Sequence, residues 1–345
     1  MLEIIYWTAL MAGTYGAFVY FRDLGDITQV VMDVSRANML QAIRNENKLV
    51  ALGLAGTTIA VAVHYAGGAG PGWLTVTMAI VNGFMVGFPW VWLHVGLRNQ
   101  QNSATYYSIE EAQAYLRPDE SVIVIENNGE ARAHSDYHIK RPHLAGSPEG
   151  LGGENVIMTY CCMTHLGHGL KPEINGETLD LEVIAQHGNN LIMKDLASGE
   201  PIQQMYGTRE CEGRYAEGMQ EWPTFRMPFK AFARAFPDGK VFLNKIPKFS
   251  KHPILFLLDH FVEIVFLWAT VSHDRTHAIL CDTIEHEDDR LHRKEYVWGF
   301  NVGRDSVAYT LDAIREQNDL INVKVGDRDV VVAYDPEFDS VGVYY

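Results

Sequence analysis

At 345 residues and 38.8 kDa, the chain is long enough for a membrane anchor plus a domain with its own core. It carries 28 basic against 43 acidic side chains, and the whole formal charge of -15 falls after residue 98, because residues 1–98 hold equal numbers of each sign. A surface this acidic repels polyanions, which excludes nucleic acid as a partner and suits cationic partners or metal ions. Four cysteines are too few for a scaffold of this size built on disulfides.

The sequence predicts a transmembrane anchor over 1–98. Residues 4–21 are apolar and uncharged, with Trp7, Tyr15 and Tyr20 near the ends. Between Lys48 and Arg98 no Asp, Glu, Lys or Arg occurs in 49 positions. That run predicts spans at 49–66 and 73–97, reversed at the Gly-Pro turn 67–72 and anchored by Trp73, Trp90 and Trp92. The basic residues of the 22–48 loop and Arg98 place the main domain on the cytoplasmic side by the positive-inside rule, a bias that the acids of that loop weaken. His64 and His94 lie near span ends. They read either as interfacial imidazoles bonded to backbone or water, or as axial ligands of a haem.

Residues 99–345 are predicted to form a water-facing, β-rich domain, so the fold class is α+β. Ser108 and Glu111 have capping-box spacing at the start of a short helix. After Pro118 the apolar pattern turns to period two, the mark of strands. Residues 122–134 align with 297–309, and 152–160 with 326–334. This predicts an internal repeat, 122–160 and 297–334, of two β-β-α-β units that pair about an approximate two-fold. Asn175-Gly176 marks a hairpin in the stretch between them. Residues 254–271 are long enough to cross a bilayer, but Asp259, His260 and Glu263 share one face, so a helix lying on the membrane or against the anchor is the preferred reading.

Chemistry gathers in CCMTHLGH (161–168), where two thiols, a thioether and two imidazoles fall within eight residues. Such donors suit a transition metal, copper for preference, with zinc as the alternative if they close a tetrahedron. Cys161, His165 and His168 are the expected ligands, His143 or Met163 completes the set, and Asn189, Asn190 and Gln204 support it. The bland alternative is a buried Cys acting as a small hydrophobe and histidines lining a polar loop. A second, weaker cluster is His273 and His277 with Asp274. The rival chemistry is a cysteine-dependent hydrolase or transferase built on Cys161 and His143, with Gln186, Asn189 and Asn190 to polarise a carbonyl. The third reading is a non-catalytic accessory subunit. The implied partners are the lipid bilayer and other membrane-protein subunits.

GEARA (129–133), Pro142-His143, GGENVIMTYC (152–161), Asn189-Asn190-Leu191 and SGEPIQQ (198–204) together resemble the domain-of-unknown-function family 3179 over roughly residues 105–345. The family motif Tyr-Cys-Pro-Leu-Cys implies a thiolate and imidazole site. Here Cys161 keeps the first Cys, Cys162 replaces the Pro, Thr164 replaces the second Cys, and His143 matches the upstream His. The resemblance implies an extracytoplasmic domain at the cell membrane.

Overall fold

The computed structural model describes all residues except 26–31, 33, 148, 214–215, 246–252 and 276–288. The fold is α+β: three long apolar helices, then a strand-rich head. The helices α1 (Leu2–Leu24), α3 (Glu46–Gly67) and α4 (Gly72–Asn102) are each long and apolar enough to cross a membrane. A short α2 (Arg36–Arg44), capped by Ser35, lies between the first two. The observed helices overrun the predicted spans at both ends, because polar residues such as Glu46 and Arg98 continue the helices into the head.

Glycines set the approach of α1 to α3. A Cβ on Gly56 would stand 2.6 Å from the Gly13 nitrogen and 2.7 Å from the Ala9 carbonyl oxygen, so only hydrogen fits at this crossing. Polar groups inside the bundle find partners across helices, as lipid requires. The Asn82 amide donates to Thr14 Oγ1 at 3.2 Å and Thr57 Oγ1 at 2.9 Å, joining all three helices. At the far end Tyr6 and Thr75 share a 2.8 Å hydrogen bond. Within α4, Pro89 cannot donate to the helical ladder, and a π-helical stretch, Val91–Leu97, follows it.

In the head, β1 (Tyr106–Ser108) leads into α5 (Ile109–Ala112), where Ser108 and Glu111 form the expected capping box. The first unit is β2 (Ser121–Asn127), β3 (Glu130–Ser135), α6 (Asp136–Ile139), β4 (Leu144–Gly146) and β5 (Ile157–Cys161). Next come β6 (Leu166–Leu170), β7 (Glu173–Ile174) and β8 (Glu177–Thr178), the last two joined at Asn175-Gly176, then β9 (Leu181–His187), β10 (Asn190–Asp195) and β11 (Pro201–Gln203). After them run β12 (Glu221–Trp222), β13 (Phe225–Pro228), α7 (Phe229–Ala235) and β14 (Lys240–Phe242). Among the described residues these strands form sheets ordered β1-β14-β3-β2-β13, β12-β6-β5-β4 and β11-β10-β9, besides the two-stranded β7-β8. Residues between the aligned segments thus complete the sheets of the first unit.

The chain ends with α8 (Pro253–Arg275), β15 (Trp298–Val302), β16 (Asp305–Tyr309), α9 (Leu311–Glu316), β17 (Leu320–Val325), β18 (Arg328–Asp335) and β19 (Ser340–Tyr344). The order β-β-α-β-β recurs in the two aligned stretches. Their hairpins belong to different sheets, however, and the C-terminal unit joins the rest where β19 meets β13, with Ser340 Oγ donating to the Arg226 carbonyl at 2.9 Å. It keeps a core of its own around Ile314, Val332 and Tyr334. The main core is continuous from anchor to head: Tyr20, Leu24, Leu93 and Leu97 pack in one cluster with Tyr160, Ile184 and Ile192.

Candidate functional site

The turn between β5 and β6 presents the sulfur-rich sequence. Pairing of Leu144 with Thr159 and of Cys161 with Leu166 fixes its base, and His165 adopts the left-handed conformation at φ 53° to close it. Cys161, Cys162 and Met163 are all buried. The Thr164 hydroxyl and the backbone N–H groups of Met163 and Thr164 act to favour the Cys161 thiolate. Thr164 stands where the motif has its second Cys. Burial outweighs these donors and pushes the Cys161 thiol up, so it stays protonated at neutral pH.

The expected ligands do not meet at one point. His143 Nδ1 lies 3.2 Å from the Tyr160 carbonyl oxygen, which only accepts, so Nδ1 carries the proton. Its Nε2 is 3.3 Å from the Gln186 amide nitrogen, while the Cys162 thiol donates to Gln186 Oε1 at 3.4 Å. Gln186 thus stands between thiol and imidazole. Burial pulls the His143 imidazole down to about 4, which leaves it neutral. His165 Nδ1 faces the Tyr160 hydroxyl at 3.1 Å and Asp136 at 3.4 Å; Arg226 holds the other Asp136 oxygen at 2.9 Å. Asp136 is kept below the usual carboxylate range because the His165 hydrogen bond and the Arg226 charge outweigh its burial. His168 Nδ1 lies 3.3 Å from the Gln204 carbonyl oxygen and Nε2 3.1 Å from Glu221. Among the described residues, no group of three or more His, Cys, Asp or Glu side chains is arranged to hold a metal ion. The predicted supports are structural in their contacts: Gln204 donates to Thr159 Oγ1 at 2.9 Å, and Asn190 donates to Gln203 at 3.3 Å. His273, Asp274, His277 and Cys281 lie outside the residues whose side chains are described.

A surface hollow of ≈ 500 Å³ opens nearby, lined by Tyr115, Arg117, Glu120, Ser121, Asp136 and Tyr137. Neither Cys161 nor Cys162 lines it.

His64 and His94 stand too far apart to be the two axial ligands of one haem. Glu46, at the start of α3, touches His94, and His64 lies 18 residues further along that helix, about 27 Å at 1.5 Å per residue. His64 Nδ1 instead bonds the Ala69 carbonyl at 2.9 Å, the interfacial role. His94 holds a different place. Its Nε2 is 2.6 Å from Glu46 Oε1 and its Nδ1 is 3.0 Å from both Glu182 oxygens. Lys194 reaches Glu46 Oε2 at 2.7 Å, and the Tyr20 hydroxyl donates to Glu46 Oε1 at 3.2 Å. Glu46 and Glu182 are buried. Two carboxylates, an imidazole donating from both nitrogens and an ammonium therefore balance one another where α1, α3 and α4 meet β9 and β10.

Further bonds clamp the same seam. Arg98 donates to Asp180 at 2.6 Å and to the Leu181 carbonyl at 2.8 Å, which also accepts from Gln101 at 2.7 Å. His187 Nε2 donates to the Val34 carbonyl at 2.6 Å, and Arg36 pairs with Glu210. Sequence reasoning missed Glu46, Glu182 and Lys194. The one signal was an acid inside the apolar strand Leu181-Glu182-Val183-Ile184-Ala185, all five of which are buried.

No curated protein and no solved structure matches the chain. The family described as "Protein of unknown function (DUF3179)" matches residues 100–344, the head from the last turn of α4 to the end of β19, and the chain belongs to that family.

Proposed function

We propose that this chain is an accessory subunit of a complex in the cell membrane, holding an extracytoplasmic head at a fixed attitude to the bilayer. The observation that carries the reading is the buried Glu46–His94–Glu182–Lys194 cluster inside a core that runs unbroken from anchor to head. A tethered enzyme needs only a flexible linker, whereas a buried charge cluster at the seam specifies one orientation. Fixed orientation serves a part that docks beside other membrane subunits. Extraction in a gentle detergent followed by native mass measurement tests the reading. An assembly heavier than one 38.8 kDa chain with its detergent is expected, and a lone chain at physiological abundance would contradict it.

A second reading is a soft metal ion such as copper bound at the Cys161 turn for delivery or electron transfer, and two observations support it. The donors around the Cys161 sulfur would stabilise a thiolate, and the neutral His143 ring is in the protonation state a metal requires. Binding would have to displace Gln186 or open the turn. Elemental analysis decides it: stoichiometric metal that disappears in Cys161→Ser supports this reading, and none in the unaltered chain removes it.

A further inference from the structure

We infer that α8 lies in the plane of the membrane, sinking one apolar stripe into the leaflet at which the anchor helices enter the head. The proposal rests on the anchor helices crossing a bilayer. The stripe is Ile254, Leu257, Phe261, Ile264 and Trp268, spaced three and four residues apart and 57–66 % exposed. At about 100° per residue these five share one side of the helix. Val262, fully buried, and Glu263 fall on the opposite side.

That opposite side is held by the head. Glu263 pairs with Lys140 at 2.6 Å and with Arg141 at 3.0 Å, and both cations are buried where α6 leads into β4. The Arg141 guanidinium stands 6.0 Å from the Trp92 ring of α4. Asn244 ties the seat to the final turn of α4, donating to the Arg141 carbonyl and to Gln100 Oε1, each at 2.9 Å. The middle of α8 is thus fixed at the level where α4 leaves the apolar bundle.

A spanning orientation would set Glu263, mid-helix, at the bilayer centre together with two cations of the head. Each such charge costs at least about 2.5–3.5 kcal/mol there. Lying flat, the helix keeps the ion pairs at the polar boundary and turns its stripe into hydrocarbon. Water is a poor partner for five large apolar side chains in a row. Between Pro253 and Asp274 the helix carries no Lys or Arg, so attachment depends on apolar area and not on anionic lipid.

The test uses the full chain, with Cys211 and Cys281 replaced by serine, in phosphatidylcholine vesicles. A fluorescent label is placed singly at Leu257→Cys, Ile264→Cys or Ile80→Cys, and its depth is read by quenching from lipids spin-labelled along the acyl chain. Ile80, exposed on α4, reports the anchor. The inference predicts deep quenching at 80 and one common shallow depth at 257 and 264, about 5–10 Å below the headgroups. Quenching at 80 with none on α8 overturns it and leaves the anchor standing, as does a depth difference of about 10 Å between 257 and 264, the mark of a spanning helix. Loss of quenching at 80 would overturn both.

Discussion

His94 Nε2 lies 2.6 Å from Glu46 Oε1, although the two residues stand 48 positions apart and belong to different membrane-length helices. Glu182 closes on the other ring nitrogen from the head, so an imidazole inside α4 joins anchor to domain. Removing one partner from such a pair leaves a buried charge uncompensated, at a cost of about 3–5 kcal/mol. Glu182→Ala should destabilise the head by that amount in denaturant titrations of the detergent-solubilised chain. A change below about 1 kcal/mol, the range of surface ion pairs, would show that the cluster is solvated.

The α1–α3 crossing makes a sharper structural prediction. Gly56→Ala must push a Cβ against the backbone of Gly13 and Ala9, and overpacking of this kind costs about 1–3 kcal/mol. Gly83→Ala in α4 meets nothing within 4 Å and should leave stability unchanged or slightly improved. Thermal unfolding of the two variants side by side checks the contrast; equal effects would contradict the crossing.

Acid should unfold the head through its histidines. Burial pulls His134 down to about 3, and His138 and His143 each down to about 4, against an unfolded value of about 6.5. Between these values the unfolded chain binds protons that the folded one refuses, so stability falls as pH drops below about 6.5 and levels off near the folded values. Each ring contributes up to about 1.4 kcal/mol per pH unit in that window. Asp136, whose carboxyl is held low, adds a loss only below about pH 4. Urea midpoints at pH 7, 5.5 and 4.5 should decline steadily, and less steeply in His134→Gln. A flat profile would mean that the rings charge in place.

Much of this architecture is legible in the sequence because it rests on local rules. The charge-free run marks two of the membrane-length helices, Ser108 with Glu111 gives a true capping box, and Asn175-Gly176 makes the β7–β8 turn. The anchor–head seam is not legible, since pairing of residues 46, 94 and 182 depends on packing that no spacing encodes. The partners of the Cys and His run are not legible either. Neighbours along a strand and its turn point to opposite faces, and so Cys162 turns to Gln186, His165 to Asp136 and His168 to Glu221.

Sidedness follows from one thiol. Cys211 is exposed while Cys161 and Cys162 are buried. With the head outside the cell, a membrane-impermeant maleimide should label intact cells carrying a Cys281→Ser chain and should fail when Cys211→Ser is added. Labelling only after lysis would put the head in the cytoplasm.

The fixed attitude of the head is measured most directly by the distance between spin labels at Tyr65→Cys, at the far end of α3, and Tyr137→Cys, on α6, both exposed positions. In lipid bilayers the unaltered seam should give a single narrow distribution that broadens in Glu182→Ala. A broad distribution in the unaltered chain, equal to that of the variant, would mean that the head swings freely and would contradict the account.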